Sequence, residues 1–257
     1  LSLANWSQPA VHWVAVVMMI FGSLPFTLYV ATLRGNRRAL FKDHQVRGFL
    51  GFLLATWLVF GTWLWLHSDN TWLDAFRIVA VNVTSVVTTT GFALGDYTTW
   101  GSFAVLLFFY LTFVGGCSGS TAGGLKIFRF QVAYVLLKAN LQQLVHPRAV
   151  IKQQYNNHNL DEEIVRSLIT FSFFFTITIG VIALGLTLLG LDWVTALTGA
   201  ATAVCNVGPG LGPIIGPAGN FSTLPDAAKW LLTIGMLLGR LEILTVLVLV
   251  TRAFWRH

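Results

Sequence analysis

Two glycine-containing breaks in an apolar chain, Thr88-Thr89-Thr90-Gly91-Phe92 and Cys205-Asn206-Val207-Gly208-Pro209-Gly210, hold the residues best placed for chemistry. Each follows a short apolar segment and precedes a longer one. Backbone N–H and C=O groups cannot stay unpaired in lipid, so irregular chain at membrane depth must be buried in protein or line a wet cavity. A Thr- and Gly-rich break whose carbonyls face such a cavity can replace the water around a small cation. Thr88, Thr89, Thr90, Cys205, Asn206 and Val207 would supply carbonyl oxygens, with Thr89, Thr90, Asn206 and Val207 as the closest contacts to the ion. Gly91 and Gly208 permit backbone angles that turn carbonyls inward and bring the chain up to the ion. K⁺ suits such a ring because it gives up its hydration shell more easily than Na⁺ or Mg²⁺. A threonine cluster alone is a capped turn; its repetition downstream is what favours ion chemistry.

A second cluster, Gly115-Gly116-Cys117-Ser118-Gly119-Ser120-Thr121-Ala122-Gly123-Gly124, interrupts a long apolar stretch. A kinked helix with small residues for close packing is one reading. Such a run of small residues holds a helix poorly, and the preferred reading is a flexible intramembrane loop acting as a gate. Gly115, Gly116, Gly119, Ser120, Gly123 and Gly124 are its candidate gating residues. Gly116-Cys117-Ser118-Gly119 imitates the nucleophile pattern of an intramembrane serine protease, which needs a His base at the same depth. His12, His44, His67, His146, His158 and His257 all lie at span ends or in loops, which argues against it. A phosphate-cradling loop fails as well, because Lys126 stands between Leu125 and Ile127 with no Ser or Thr after it. Arg240 sits inside the last apolar stretch, where a charge costs at least about 3 kcal/mol on insertion scales and should face the bundle interior or water. It is read either as a structural partner of Glu242 or of loop carbonyls, or as a positive barrier in a cation path. Lys126 and Arg129 are read as anchors for the helix that follows the loop.

The elements that must position these groups can be read from hydropathy. Spans able to cross about 30 Å of hydrocarbon need roughly 20 residues, and Ala10–Leu33, Gly48–Leu66, Gly101–Leu137, Val165–Leu189 and Trp230–Phe254 qualify. Trp72–Val87 and Trp193–Val204 are too short and would enter the membrane and turn back. Each begins with an acidic and aromatic start, Thr71-Trp72-Leu73-Asp74 or Leu191-Asp192-Trp193, and ends at a break. Its partially negative C-terminus would then point at the cation. A polar, Gly-rich stretch follows each break, Gly95–Thr99 and Gly212–Asp226. The order span, half-helix, turn, span occurs twice, an internal repeat of about 100 residues.

Composition gives the class. Hydrophobic residues are 55% and charged residues 10%, with a mean hydropathy of +0.71, against about 25% charge in a soluble domain. The expected fold is an all-α polytopic membrane protein of tandem helix, pore half-helix, filter loop and helix repeats, like a K⁺ channel. The net charge of +6 comes from bases flanking apolar spans, which excludes nucleic acid as a partner and leaves membrane lipid. Arg34, Arg37, Arg38, Lys42 and Arg47, then Lys138, Arg148, Lys152 and Arg166, then Arg252 and Arg256, mark a cytoplasmic side. Asp69, Asp74, Asp96, Asp192 and Asp226 mark the outer side with both breaks. Cys117 and Cys205 are expected as free thiols. The chain opens Leu-Ser-Leu with no signal peptide, and reads as part of something longer.

The segments Thr88–Tyr97, Gly115–Phe128, Asn206–Gly219 and Leu237–Leu244 resemble the Trk-type potassium uptake proteins of bacteria, in a superfamily that includes the Ktr and HKT proteins. The resemblance implies four such repeats around one pore, of which this chain would hold the C-terminal portion. Residues 1–45 would be the last helix of a preceding repeat with its connection, 46–139 the third repeat, 140–161 a cytoplasmic connection and 162–257 the fourth repeat. Gly91 and Gly208 match filter glycines, Gly115–Gly124 the gating loop, and Arg240 the arginine beneath the filter. It further implies a homodimer in the bacterial inner membrane and a cytoplasmic ring of nucleotide-binding regulatory subunits. K⁺ is then the permeant ion and no covalent cofactor or enzymatic step is expected. The family's pore needs four filter segments and this chain has two, so the missing N-terminal repeats are a required partner. Coupling to H⁺ or Na⁺ in a symport stays open, although the sequence offers no obvious proton relay, with Glu242 the one acidic candidate deep in a span, and this favours passive conduction. A broken-helix secondary transporter for an anionic substrate is the alternative from another class.

Overall fold

Two short helices are started by their own side chains. The Thr71 hydroxyl accepts from the Asp74 N–H at 3.3 Å, and an Asp192 carboxylate oxygen accepts from the Thr195 N–H at 3.0 Å. Each satisfies one of the donors that a helix start leaves unpaired. In a computed structural model the described residues are 1–36, 38–147, 152–156, 158–241, 243–250 and 254–255. The helices are α1 Pro9–Gly22, α2 Phe26–Leu33, α3 Ala39–Lys42, α4 His44–Leu66, α5 Trp72–Val87, α6 Ser102–Phe113 and α7 Ile127–Val145. A two-stranded antiparallel hairpin, β1 Gln154–Tyr155 with β2 His158–Asn159, precedes α8 Glu162–Leu188, α9 Trp193–Cys205, α10 Asp226–Arg240 and α11 Ile243–Val250. Among the described residues every other regular element is a helix, and irregular segments such as 88–101, 114–126 and 206–225 join them.

The half-helices α5 and α9 lie at the centre of each half. Residues Val79–Val87 of α5 and Thr198–Cys205 of α9 are buried on every side. α4, α1 and α6 surround α5, while α8, α10 and α6 surround α9. Burial on all faces is what a helix embedded in a bundle needs. In α9 it is achieved with Ala196, Gly199, Ala200, Ala201 and Ala203, which let neighbouring backbones come close. Around α5 the aromatic side chains do the filling: Phe49, Phe60 and Phe108 are buried, and Tyr97 stacks on Phe108 with ring centroids 3.9 Å apart. Truncating Phe108 to Ala would leave a cavity costing about 3–5 kcal/mol. The outward faces are apolar instead, with Met18, Phe103, Tyr110, Phe173, Leu184 and Leu188 exposed.

By length and composition, α4 and α8 can each cross a membrane, and α1 with α2 would make a third crossing only if that bent pair is one span. Two expected spans differ from the observed elements, and a third, Gly101–Leu137, is broken where its cluster of small residues is expected to break it. Ala10–Leu33 is two helices meeting at 92°, broken at Ser23-Leu24-Pro25. Pro25 has no N–H to donate and drives Leu24 out of helical geometry. Gly101–Leu137 is α6, an irregular segment over 114–126, and α7. Trp230–Phe254 begins earlier, at Asp226, and stops at Arg240 before α11. The expected half-helix Trp72–Val87 agrees at both ends, and Trp193–Val204 is one residue short. Both cysteines are free and buried. Of the bases used for orientation, Arg37, Arg148, Arg252 and Arg256 lie outside the described residues.

Candidate functional site

The ends of α5 and α9 are the same turn built twice. Thr89 N–H donates to the Val86 carbonyl and Asn206 N–H to that of Ala203, both at 3.0 Å. Thr90 N–H then reaches back to Ser85 O at 2.8 Å, and Val207 N–H to Thr202 O at 3.0 Å. This crossed pair of bonds is a Schellman-type helix stop, and it requires a left-handed residue. That residue is Thr89 in one half (φ 54°) and Asn206 in the other (φ 58°). Asn tolerates the region, whereas a β-branched Thr there is a backbone outlier of the kind stored at functional sites.

Two residues on, Gly91 (φ 81°) and Gly208 (φ 114°) turn the chain away from the helix. A Cβ on Gly91 would stand 2.4 Å from the Val207 carbonyl oxygen, and one on Gly208 would stand 3.8 Å from the Gly91 Cα. The two breaks thus meet backbone to backbone, and no side chain fits at Gly91. Thr90 and Gly208 are exposed at this junction, while Thr88, Cys205 and Val207 are buried. Among the described residues the carbonyls of Thr88–Gly91 and Asn206–Gly208 accept no hydrogen bond. The Thr88 and Thr90 hydroxyls bond each other at 2.8 Å. Both helix C-termini, with their partial negative charge, end at this point.

The Gly115–Gly124 segment lies directly against both turns. Gly123 N–H donates to the Thr89 hydroxyl at 2.7 Å, and a Cβ on Gly123 would stand 2.4 Å from the Cys205 carbonyl oxygen. The root of the segment is closed by Gly115 N–H to Leu125 O at 2.7 Å and Leu125 N–H to Phe113 O at 3.0 Å. Further bonds go to the α1–α2 bend: Cys117 N–H donates to Ser23 O at 2.9 Å, and the Thr121 hydroxyl to Gly22 O at 2.8 Å. Phe26 N–H returns a bond to Gly119 O at 3.1 Å. The 92° bend therefore frees the groups that hold the segment, which explains why an otherwise apolar span is broken there.

Gly119, Ser120, Gly123, Gly124 and Arg240 line one cavity of about 660 Å³, together with Lys126, Arg129 and Glu163. Gly115 and Gly116 do not reach it: they are buried at the root, beside Gly123 and Ser23 respectively. Sequence reading placed Lys126 only as an anchor for the next helix. Its ammonium instead donates to the Ser120 carbonyl at 3.4 Å and to that of Ala122, bracing the segment from inside the cavity. Its spacing of four and six residues after those carbonyls was the available signal. Gln45 was also missed; its side-chain oxygen accepts from Ser118 N–H at 3.0 Å. Arg129 lies over the Phe171 ring at 3.5 Å. The Glu242 side of the Arg240 pairing lies outside the described residues. Among the described residues no histidine lines the cavity that Ser118 lines.

Comparison with known proteins agrees with this geometry. The family described as "TrkH: Cation transport protein" matches residues 1–256. The chain is 57% identical over 251 residues to the Trk system potassium uptake protein TrkI of Halomonas elongata, covering 97% of this chain and 51% of that protein. It is 30% identical over 260 residues to the Trk system potassium uptake protein TrkH of Escherichia coli, covering 100% of this chain and 53% of that protein. The crystal structure of the potassium transporter TrkH from Vibrio parahaemolyticus superposes with a TM-score of 0.91 at 33% identity, over 99% of this chain and 55% of that one. The chain spans about half the length of the curated relatives it matches. Over that half, with two capped half-helices meeting at paired glycines, the chain belongs to the TrkH family of cation transport proteins.

Proposed function

We propose that this chain forms half of the wall of a potassium uptake pore, with residues 46–139 and 162–257 as its third and fourth repeats. The observation that carries the reading is the meeting of Gly91 with Val207 and Gly208, at the C-termini of two buried half-helices, beside carbonyls that no N–H of the described residues occupies. Carbonyls of Thr89, Thr90, Asn206 and Val207 would take the place of the K⁺ hydration shell. The relatives named as potassium uptake proteins support K⁺ as the ion. Gly115–Gly124 acts as the gate, braced by Lys126, and Arg240 adds a positive barrier on the same cavity. The remaining two filter segments come from the N-terminal repeats, and the whole works as a homodimer in the bacterial inner membrane with a nucleotide-binding regulatory ring. No bond is made or broken, so the protein is a transporter and not an enzyme. An anion carrier is disfavoured, because Thr71 and Asp192 side chains occupy the helix N-termini that would bind a carboxylate.

The test is K⁺ uptake in cells lacking their own uptake systems, supplied with the full-length parent or its Gly91→Asp variant. The parent restores growth at low K⁺ and the variant, present in the membrane at equal amount, does not. Equal growth would remove Gly91 from the filter.

A further inference from the structure

The segment after each break lies back along its own half-helix, and the two halves hold it differently. In the second half, Thr202 and Thr198 stand one turn apart on α9, and both are buried. The Thr202 hydroxyl accepts from the Gly208 N–H at 3.1 Å, and the Thr198 hydroxyl accepts from the Leu211 N–H at 3.1 Å. Thr198 donates its own proton to the Val194 carbonyl at 2.7 Å, so that hydroxyl is oriented from both sides. In the first half the place of Thr202 is taken by Ser85 and that of Thr198 by Val81. Leu94, the counterpart of Leu211, donates to the Asn82 side-chain oxygen at 3.0 Å. Among the described residues Gly91 N–H has only the Ser85 carbonyl, at 3.3 Å, already shared with Thr90 N–H. The Ser85 hydroxyl is fully buried and has no partner among the described residues.

We infer that Thr202 and Thr198 are positioning residues for the filter: a two-rung hydroxyl ladder that fixes Gly208–Leu211 against α9. The inference rests on the filter reading above. A carbonyl ring discriminates between cations by where its oxygens stand, and the direction of a carbonyl is set by the peptide planes on either side. Fixing Gly208 N–H fixes the plane that carries the Val207 carbonyl, one of the proposed ion contacts. Asn82 supplies one rung on the first half, and the idle Ser85 hydroxyl marks the missing second. The fourth filter segment is thus the stiffer of the two.

The experiment measures the K⁺ to Na⁺ permeability ratio of the full-length parent in proteoliposomes. Thr202→Val keeps the shape and removes the hydroxyl; the ratio is expected to fall about fivefold, the equivalent of one hydrogen bond lost at the ring. Thr202→Ser restores the acceptor and should restore the ratio. Thr198→Val tests the same ladder through Leu211 and does not depend on Thr202→Val folding. Ser85→Ala should lower the ratio less than Thr202→Val does. Lower flux at an unchanged ratio in Thr202→Val and Thr198→Val would mean a merely structural role and overturn the inference. A Gly208→Ser control separates the two levels: if it loses selectivity while both valine variants keep it, the ladder is wrong and the filter stands. If all three keep it, the filter reading falls with the ladder.

Discussion

The Gly123 N–H donates to the Thr89 hydroxyl at 2.7 Å, so the segment beneath the breaks hangs from the strained residue at the end of α5. The proposed gate and the proposed filter, built on separate elements, are in this way one hydrogen-bonded unit. Thr89→Ala removes the acceptor and should cost about 1 kcal/mol, a shift of roughly fivefold in any equilibrium between a seated and a lifted segment. Single-channel or flux recordings of the full-length parent should show higher resting K⁺ flux in the variant with selectivity kept. Unchanged resting flux would mean that this bond does not hold the gate.

Lys126 braces the same segment from the other side, through the carbonyls of Ser120 and Ala122. Charge-assisted bonds of this type contribute about 1.5–3 kcal/mol. Lys126→Gln should therefore raise amide hydrogen exchange across residues 115–124 while leaving the half-helices protected. Equal exchange in the two proteins would return Lys126 to a helix-anchoring role.

Arg240 shares the cavity with Gly124 and Ser120 at the end of α10. If its charge is a barrier, Arg240→Ala should raise conductance, by up to about tenfold for a lowered barrier of 1.4 kcal/mol. Reduced flux from a folded protein would make the side chain a structural support.

Asp192 gives a prediction in pH. Hydrogen bonds from Thr195 hold its carboxyl below the usual carboxylate range. A lowered folded-state value means that its contribution is fully present above the unfolded value, about 3.9. It is lost as pH falls through the lower folded value. Thermal stability should thus be insensitive to this group between about pH 5 and 8. Asp192→Ala should cost about 1 kcal/mol throughout that range, as loss of a helix cap does. A penalty that vanished at neutral pH would contradict the capping role.

Much of this was legible because the half-helices carry their own boundaries. Thr71 and Asp192 start α5 and α9, Thr89 and Asn206 stop them, and both sets can be read locally. The bend at Ser23-Leu24-Pro25 had a local signal as well, in Pro25, but mean hydropathy over Ala10–Leu33 averages it away. The stop at Arg240 had weaker cues: α10 ends where Gly239 approaches the Val204 carbonyl so closely that a Cβ would stand 1.8 Å from it. Contacts of that kind join distant parts of the chain and leave no periodic trace. The same holds for Gln45 with Ser118, and for the Thr202 and Thr198 bonds, which exist only once the chain has doubled back.

The most direct measurement is the flux of K⁺ against Na⁺ through the full-length parent in proteoliposomes, beside Gly208→Ser. A side chain at φ 114° is strained whatever the space around it, and relieving that strain turns the peptide planes on either side of Gly208, including the one that carries the Val207 carbonyl. Strong K⁺ preference in the parent, reduced by about tenfold or more in the variant, is the predicted result, since each tenfold step corresponds to about 1.4 kcal/mol of lost discrimination. An unchanged preference in a folded Gly208→Ser protein would contradict the assignment of these two breaks as the filter.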